Sequence, residues 1–267
     1  VNDLGGSLAG EGGSHSAADV VVDEIKAAGG EAVAEYSSVS TPEGGQAIVQ
    51  KAIDDYGRVD IVINNAGILR DKSFTKMEIS DIEAVLDVHL RGALYVTQPA
   101  FRQMREQAYG RIVMTSSASG VLGNFGQTNY GAAKMGMVGM VNVLKHEGAK
   151  YNIMVNAIAP IAKTRMTLEL LGPMADKFDP SAVAPVVAYL ASEDCTMSGE
   201  IWSVGGGSVS RFFIGLTDGY FKHPDNEGVL SIEDVAEHVD EIRAEDGYLV
   251  PRSNQDEFTK LGPKLFD

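Results

Sequence analysis

Short runs of β-branched and apolar residues alternate with longer segments of helical period along most of this chain, and this alternation constrains the fold more than any other feature. The pattern is typical of a parallel sheet whose crossover connections are helices. It predicts strands at 31–36, 59–64, 111–115, 153–158 and 200–204. It predicts helices at 17–28, 42–56, 80–106, 128–150 and 181–191. The expected fold is therefore α/β, a doubly wound, Rossmann-like parallel sheet with helices on both faces.

The chain of 267 residues carries a formal net charge of −15, because 37 Asp and Glu outnumber 22 Lys and Arg. Nucleic-acid and anionic-membrane partners both need a surplus of basic residues, so we expect neither. Residues 221–267 hold 12 acidic and 5 basic residues, which predicts an acidic C-terminal extension after a domain at 1–220. Within the extension, S-I-E-D predicts a helix at 231–242, and the tail beyond Gly247 is expected to be mostly irregular.

A single cysteine, Cys195, excludes a disulfide framework and a cysteine-rich zinc site, and we expect no metal site. A lone thiol fits a reducing compartment. The longest apolar runs are far shorter than a membrane span, and the first residues show neither the basic nor the apolar part of a signal peptide. We therefore expect a cytoplasmic protein with no membrane anchor.

Tyr130 and Lys134 stand four residues apart in the segment Y-G-A-A-K, within the helix predicted at 128–150. On a helix this spacing places both side chains on one face. A phenol has a pKa of about 10, and a neighbouring ammonium favours its phenolate, so the pair predicts an acid or base of tuned strength. Taken alone, the spacing is also common on amphipathic helices without any catalytic role.

Three further segments follow or end predicted strands and bring small and polar residues to them. T-S-S-A-S-G at 115–120 contains Ser117, whose hydroxyl suits a hydrogen bond to a carbonyl oxygen. N-N-A-G at 64–67 provides an amide and a tight turn, and V-N-A-I-A-P at 155–160 ends in a proline that turns the chain. Because the carboxyl ends of parallel strands meet at one edge, we expect these segments to line one crevice with Tyr130.

These segments, in this order, resemble the short-chain dehydrogenase/reductase family over about residues 1–207. The resemblance implies an NAD-dependent enzyme that interconverts a secondary alcohol and a ketone. It implies that Tyr130 exchanges the proton of the alcohol, Ser117 hydrogen-bonds the reacting oxygen, and Lys134 binds the nicotinamide ribose and lowers the pKa of Tyr130. The resemblance places the following residues at the cofactor: Asp3, Ser38, Val39, Asn65, Ala66, Gly67, Thr115, Tyr130, Lys134, Pro160, Ile161, Ala162 and Thr164.

The amino end departs from the family pattern. The family begins with a strand and a T-G-x-x-x-G-x-G turn that receives the pyrophosphate, whereas the glycines at 5–14 do not fit this motif and predict a surface loop. We therefore expect that the first strand and its glycine-rich turn are missing before Val1. Asp3 matches the family's acidic residue at the end of the second strand, where a carboxylate binds ribose hydroxyls and repels a 2′-phosphate. NAD is therefore expected rather than NADP.

Two other positions differ from the common family pattern. Beneath the adenine the family often has Asp-Val, whereas this chain has Ser38 and Val39. Most members have an asparagine that helps a water relay reach the active-site lysine, and this chain has His89 there. A lone histidine on a helix is usually a packed or surface residue, but at this position we predict a catalytic role for it.

Several segments together resemble one subgroup, the (3R)-hydroxyacyl-CoA dehydrogenase unit of peroxisomal multifunctional enzymes of type 2. They are N-D-L-G-G, V-H-L-R-G, G-N-F-G-Q-x-N-Y and R-M-T, with P-I-A-K-T-R-M at 160–166 in place of the common P-G-x-x-x-T. The resemblance implies oxidation of a (3R)-3-hydroxyacyl-CoA to the 3-ketoacyl-CoA. The domain at 1–220 is then the dinucleotide-binding catalytic domain, incomplete at its amino end.

The residues leave two alternatives open. An apolar cleft lined by Leu122, Phe125 and Met166 would also accept a 17β-hydroxysteroid or a steroid side-chain CoA ester. A non-catalytic NAD-sensing or scaffold protein would keep the fold without turnover. Binding an anionic CoA thioester to this acidic protein would need local cations. The candidates are Arg70, Lys72, Arg91, Lys163 and Arg165.

Members of the family usually assemble through their long helices, so a homodimer or homotetramer is expected. Met135, Met137 and Met140 on the helix predicted at 128–150 suit such a surface and suit ordinary core filling equally well.

Overall fold

Four short parallel strands organise the first part of the chain. In this computed structural model, which describes residues 1–266, the strands are β1 (Ile61–Asn64), β2 (Gly110–Thr115), β3 (Ile153–Pro160), β4 (Ile201–Gly205) and β5 (Ser208–Phe212). The helices around them are α1 (Ser16–Ala27), α2 (Pro42–Tyr56), α3 (Ile79–Leu86), α4 (Gly92–Gln107), α5 (Ala118–Val121), α6 (Thr128–Gly148), α7 (Leu168–Leu171) and α8 (Ala184–Ala191). The strand order is β1-β2-β3-β4-β5, with β1 to β4 parallel and β5 antiparallel to β4. This is the parallel-dominated, Rossmann-like sheet that the alternating pattern predicts.

Helices cover both faces of the sheet, as β2 shows most clearly. Alternate residues of a strand point to opposite faces. Ile112 and Met114 belong to the core that β2 shares with α2, α4 and α6, whereas Val113 packs on the other face with Leu190 of α8. All three of these β2 side chains are at most 1% exposed. Since both faces are filled, polar side chains can gather around the sheet only at the strand ends.

The strand predicted at 31–36 is wrong as a member of this sheet. Its one pairing is an isolated parallel bridge between Asn2 and Glu35. The Asp3 N–H donates to the Glu35 carbonyl at 3.2 Å, and the Glu35 N–H donates to the Val1 carbonyl at 2.9 Å. Two such bonds on one side extend the segment but do not make a regular ladder. The expected absence of a first strand and its turn stays a prediction.

The helix predicted at 80–106 is interrupted. After α3 ends, the five residues Asp87–Arg91 form a π-helical turn, and α4 continues from Gly92. Such turns are rare and occur frequently at functional sites. The turn contains His89, so the departure from regular geometry falls at the position singled out from the sequence.

The sequence pattern does not predict β5, because V-G-G-G-S-V-S resembles a low-complexity loop. Gly206 and Gly207 have positive φ values of 56° and 80°, the backbone conformation of a tight two-residue hairpin turn. Gly205 and Ser208 pair across this turn. Gly206 and Gly207 therefore form the turn that joins β4 to β5.

The chain divides into two compact units after Phe212. The second unit contains the helices α9 (Pro224–Glu227), α10 (Ile232–Glu237), α11 (Val239–Arg243) and α12 (Asn254–Phe266). The capping box predicted at its first long helix is present, because Ser231 Oγ accepts from the Asp234 N–H and Asp234 Oδ2 accepts from the Ser231 N–H. The helix predicted at 231–242 is divided between α10 and α11 at His238.

The prediction of an irregular tail beyond Gly247 is wrong, because α12 occupies much of it. Phe258, Leu261 and Leu265 recur at helical spacing along this segment. Gly262 and Pro263 hide the pattern, since both residues usually weaken a helix. In the part of the chain that the structure describes, no helix has the length and apolar character needed to cross a membrane.

Helices α2 and α4 are in close contact at Gly45, and a substitution there tests how tightly they pack. A Cβ at Gly45 would lie 2.5 Å from backbone atoms of Tyr95. We expect Gly45→Ala to lower the free energy of unfolding by about 1–3 kcal/mol, because backbone atoms cannot move aside as a flexible side chain does. The measurement is urea denaturation followed by circular dichroism.

Gly139→Ala in α6 is the matched control for Gly45→Ala. A Cβ at Gly139 meets nothing within 4 Å, so alanine should raise the free energy of unfolding by about 0.5–1 kcal/mol through its higher helix propensity. Equal effects of the two substitutions would contradict the close contact between α2 and α4.

Candidate active site

The amine of Lys134 is buried at the carboxyl end of β2. Lys134 and Tyr130 lie in the first two turns of α6, and Lys134 is only 2% exposed. Lys134 Nζ donates to the carbonyl of Thr115, the last residue of β2, at 2.5 Å and lies 5.4 Å from the centre of the Tyr130 ring. Ser116 Oγ donates to the Lys134 carbonyl at 2.9 Å. The strand end therefore holds both the backbone and the side chain of the lysine.

Ser117 begins the short helix α5 directly after β2. Its backbone is extended, and its Oγ accepts from the Ser119 N–H at 3.1 Å, which caps the helix. Gly120 allows this helix to approach α6 closely, because a Cβ there would lie 2.8 Å from the Cβ of Lys134. The structure thus brings together Ser117, Tyr130 and Lys134, the three residues for which the resemblance implies a catalytic role.

Burial moves both titratable groups toward their neutral forms. It lowers the pKa of Lys134 to about 7. It also raises the pKa of Tyr130, an effect opposed by hydrogen bonding with Ser117 and reinforced by the negative charge of Asp71. In the chain by itself the pKa of Tyr130 thus lies above its ordinary value, and the lowering of this pKa by Lys134 stays a prediction. Desolvation penalises the phenolate, and an amine with a pKa of about 7 is only partly charged near neutral pH.

His89 contacts Tyr130 from the π-helical turn. The histidine is 2% exposed, and its ring meets the Tyr130 ring edge-on with the centroids 5.1 Å apart. Its Nε2 lies 3.0 Å from the Ile68 nitrogen and 2.8 Å from the Ile68 carbonyl oxygen. Burial, followed by the charge of Lys134, lowers the pKa of His89 to about 3, so the ring is neutral at physiological pH.

One nitrogen of His89 has no partner. Among the described side chains, His89 Nδ1 is a buried polar atom without a hydrogen bond. Nε2 can either accept from the Ile68 N–H or donate to the Ile68 carbonyl, and this choice decides whether Nδ1 carries a proton. A buried polar atom without a partner is costly, so Nδ1 is available to a small polar molecule such as water.

The end of β1 meets the same region. A Cβ at Gly67 would lie 2.4 Å from Cε1 of His89, so this glycine leaves room for the histidine ring. Thr115 Oγ1 donates to Asn65 Oδ1 at 3.1 Å, which ties the end of β2 to the segment after β1. Ala66 lies between these two anchored residues.

The end of β3 continues into a turned segment with its own hydrogen bonds. Pro160 is the last residue of the strand. The N–H of Ile161 donates to the carbonyl of Val204 in β4 at 2.7 Å. Thr167 Oγ1 donates to the Ala162 carbonyl and accepts from the Thr164 N–H at 2.9 Å. The residues Pro160, Ile161, Ala162 and Thr164 predicted at the cofactor therefore run from the end of β3 into the irregular segment that leads to Thr167.

The residues predicted at the adenosine end have local partners. Asp3 Oδ1 accepts from the Gly5 N–H at 2.6 Å, and Ser38 Oγ shares a 2.7 Å hydrogen bond with Ser40 Oγ. Val39 packs against the core. No described contact joins these residues to Tyr130 or Lys134, so their predicted roles rest on the sequence.

Four of the five cations suggested for a CoA thioester are paired with carboxylates. The ion pairs are Arg70 with Asp81 at 3.7 Å, Lys72 with Asp81 at 2.8 Å, Arg91 with Asp87 at 2.5 Å, and Lys163 with Asp176. Arg70 and Lys72 share a single carboxylate, so that group keeps one positive charge in excess. Arg165 is exposed.

The apolar residues suggested for a substrate cleft differ in exposure. Phe125 is 90% exposed and Leu122 is 72% exposed, in the segment between Ser117 and Tyr130. Met166 is half-buried. Two large apolar side chains are therefore open to solvent between two of the proposed catalytic residues.

Sequence reasoning missed three residues at this site. Ser116 bonds the Lys134 carbonyl, Asp71 acts on the pKa of Tyr130, and Asn129 is a buried amide directly before Tyr130. The signal that could have found Asn129 is its type and place, because a polar residue that starts a long helix commonly bonds free backbone groups. Nothing in the local pattern marks Ser116 or Asp71.

The fold and the convergence of Ser117, Tyr130 and Lys134 at the strand ends define a dinucleotide-dependent oxidoreductase. A family model described as short chain dehydrogenase matches residues 7–171. The chain therefore belongs to the short-chain dehydrogenase/reductase family, whose members typically depend on a pyridine nucleotide.

Individual relatives place the chain within that family. It is 50% identical over 245 residues to a short-chain type dehydrogenase/reductase of Mycobacterium tuberculosis, covering 91% of this chain and 84% of the relative. An acetoacetyl-CoA reductase of Acinetobacter is 40% identical over 183 residues, covering 64% of this chain and 74% of the relative.

A multifunctional enzyme matches in both sequence and structure. Peroxisomal multifunctional enzyme type 2 of Drosophila melanogaster is 47% identical over 234 residues, covering 87% of this chain and 39% of the relative. A solved structure of that full-length enzyme superposes with a TM-score of 0.81 at 37% identity, covering 94% of this chain and 44% of the other. The chain is thus homologous to part of the multifunctional enzyme and spans less than half of its length.

The pKa of Tyr130 gives a prediction for pH dependence. Alcohol oxidation by a tyrosine base needs the phenolate, so its rate rises as pH passes upward through the pKa of that residue. Because the charge of Asp71 raises this pKa, Asp71→Asn should lower it and move the acid limb of the oxidation profile to lower pH. The measurement is kcat against pH.

Asp54→Asn is the matched control for Asp71→Asn. Asp71 accepts from Gln127 Nε2 at 2.6 Å, and Asp54 accepts from Gln50 Nε2 at 2.8 Å on the surface helix α2. A shift of the same size in both variants would mean that net charge alone moves the profile.

Proposed function

We propose that this chain catalyses NAD-linked oxidation of a secondary alcohol to a ketone, with the 3-hydroxyl of a (3R)-3-hydroxyacyl-CoA as the substrate group. One observation carries the proposal. Lys134 is buried at the carboxyl end of β2 with its amine 5.4 Å from the centre of the partly buried Tyr130 ring, and Ser117 acts on the same phenol by lowering its pKa. A base, a cation and a hydroxyl at the edge where parallel sheets bind ligands suit proton transfer to and from an alcohol.

The residues present fit the nicotinamide end of a dinucleotide. Lys134 offers an amine near a backbone carbonyl, where ribose hydroxyls are good partners. The backbone at Gly67 lies so close to His89 that any side chain there would collide with the histidine ring. The segment from Asn65 to Gly67 therefore lines the site with backbone and small side chains. A dinucleotide held here would supply the hydride acceptor for the carbinol carbon.

Each side chain then has one task. Ser117 donates to the reacting oxygen and holds it beside the Tyr130 phenol. Tyr130, as phenolate, takes the proton of the alcohol, and as phenol it returns one to the ketone in the reverse direction. Lys134 orients the ribose, and its charged form favours the phenolate. His89 would hold a water at Nδ1 while its ring stays neutral, and in oxidation that water would carry the proton released at Tyr130 from the neighbourhood of Lys134 to solvent.

Related enzymes support the substrate class. The acetoacetyl-CoA reductase that this chain resembles acts, by its name, on a 3-oxo thioester of coenzyme A. A 3-hydroxyacyl-CoA and a 3-oxoacyl-CoA are the two sides of the same alcohol–ketone couple. The exposed Leu122 and Phe125 would accommodate an acyl chain, and the excess cation among Arg70, Lys72 and Asp81 would face an anionic group.

We propose NAD rather than NADP on the basis of Asp3. Asp3 directly follows Asn2, which bridges to Glu35, and the family resemblance matches it to an acid that binds ribose hydroxyls. The carboxylate would repel the 2′-phosphate that distinguishes NADP.

The remaining proposals concern assembly and location. Leu94 of α4 is 45% exposed, and Val143 of α6 is 56% exposed, which supports a homodimer or homotetramer formed through these helices. Met135 is 37% exposed and suits this surface, whereas Met137 is 1% exposed and belongs to the core. The acidic net charge and the single buried Cys195 support a cytoplasmic protein with neither nucleic-acid nor membrane partners.

Loss of the Tyr130 hydroxyl tests the proposed base. Tyr130→Phe should lower kcat by about 10²–10⁴-fold, the usual contribution of general acid–base catalysis, while the fold is retained. The measurement is NADH absorbance with a 3-hydroxyacyl-CoA, repeated with NADP and with a 17β-hydroxysteroid. Tyr220→Phe in the second unit is a control that should keep full activity. Retained turnover in Tyr130→Phe would remove this residue as the base.

The relay role of His89 predicts a different pattern. His89→Asn should keep a large part of the activity, because an amide also offers a polar group to water, whereas His89→Leu should lose most of it. Since the pKa of His89 is about 3, neither variant should remove an ionisation between pH 5 and 9. Unchanged rates in both variants would make the histidine a packing residue only. The measurements are kcat and its pH profile.

A further inference from the structure

The buried amide of Asn129 links three separate parts of the site. Asn129 is 2% exposed and lies directly before Tyr130 in the first turn of α6. Its Oδ1 accepts from the Tyr130 N–H at 2.8 Å. Its Nδ2 donates to the carbonyls of Arg70 at 3.1 Å and Asp81 at 3.2 Å. All of these partners are backbone groups, so the three hydrogen bonds do not depend on the side chains of the partner residues.

The Tyr130 N–H has no acceptor within α6, and the side chain of Asn129 accepts its hydrogen bond. The first four N–H groups of a helix lack acceptors within the helix, and Tyr130 is the third residue of α6. The carbonyl one turn earlier, at Gly126, accepts instead from the Lys72 N–H at 3.0 Å. The side chain of Asn129 therefore supplies the missing acceptor at the proposed base.

The bonds to Arg70 and Asp81 connect that turn to the segment that holds His89. The ring of His89 contacts the backbone of Ile68 and packs edge-on against the Tyr130 ring. The segment 68–72 thus contacts Tyr130 by two routes, through the histidine ring and through the Asn129 amide. The amide thus fixes the backbone at Tyr130, and the histidine ring covers one side of the phenol.

We propose that Asn129 is a positioning residue, and this proposal rests on the proposed function. Its amide ties the start of α6 to the carbonyls of Arg70 and Asp81. In this way it holds the Tyr130 phenol beside Ser117. The chemistry demands an amide in one orientation. Two donors face two carbonyl oxygens, and one acceptor faces an N–H. A carboxylate of the same shape would keep the acceptor and place negative oxygen against both carbonyls.

Two substitutions separate the contributions of these bonds. Asn129→Asp keeps the acceptor for the Tyr130 N–H and loses both donors, and Asn129→Ala loses all three bonds without adding charge. Both should lower kcat by about tenfold to a hundredfold, because a displacement of about 1 Å at a reacting group has effects of this size. The KM for NAD should change by less than about twofold, since the amide makes no contact with the proposed cofactor residues other than through Tyr130.

A second buried asparagine provides the matched control. Asn156 in β3 is fully buried, donates from Nδ2 to the Met197 carbonyl at 2.8 Å, and accepts from the Glu200 N–H at 3.0 Å. Asn156→Asp makes the same chemical change at a buried amide whose partners are Met197 and Glu200 and do not include Tyr130. It should lower the thermal unfolding temperature as much as Asn129→Asp does, while the folded protein keeps its kcat.

Tyr130 itself gives a readout that does not need turnover. In the full chain labelled with ¹³Cζ-tyrosine, the Tyr130 signal is assigned by its loss in Tyr130→Phe. Its chemical shift and titration should move in Asn129→Ala and Asn129→Asp, and stay in place in Asn156→Asp. Absence of turnover in the full-length wild-type protein would refute the proposed function and leave this spectroscopic test intact.

Two results would overturn the positioning role. One is an unmoved Tyr130 signal in Asn129→Ala. The other is wild-type kcat in Asn129→Asp, which would mean that the donors to Arg70 and Asp81 hold nothing of catalytic importance.

Discussion

The burial of the Lys134 amine is the constraint on which the site depends. Removing an ammonium group from water is costly unless polar contacts replace its hydration. The Thr115 carbonyl and the nearby Tyr130 ring supply such contacts, yet burial still lowers the lysine pKa to about 7. The same dry surroundings raise the pKa of Tyr130. The chain by itself therefore holds the pair close to its neutral state, and on the proposed function a positively charged nicotinamide ring would favour the phenolate when it binds.

Small residues allow this burial. Gly120 lets α5 lie against the turn that carries Lys134, and Gly67 leaves space for the ring of His89. At each place a single Cβ would meet its neighbour at 2.8 Å or less. The motifs S-S-A-S-G and N-N-A-G thus serve the packing of the site as well as its chemistry. This explains why the glycines lie beside the polar residues instead of at random loop positions.

Much of the fold could be predicted, and the failures share a cause. Runs such as 111–115 alternate between the two covered faces of a sheet, so their strand character is visible in the sequence. The segment 31–36 has equal local character, but a strand needs a neighbour along its length, and its one described pairing is a single bridge. The strand Ser208–Phe212 and the helix Asn254–Phe266 were hidden by glycines and a proline, which local propensity disfavours and tertiary contacts tolerate.

The sequence by itself determined the class of fold and the order of the strand-end motifs, because periodicity and spacing are local properties. The resemblance of those motifs to a known family then pointed to Ser117, Tyr130 and Lys134. Only the tertiary structure decided that the pKa of Tyr130 is raised and that Nδ1 of His89 is left without a hydrogen bond. It also decided which backbone groups the amide of Asn129 binds. Desolvation and hydrogen-bond geometry arise from segments far apart along the chain, such as residues 68–72 and the start of α6. Their effect on one side chain exists only once those segments are packed around it.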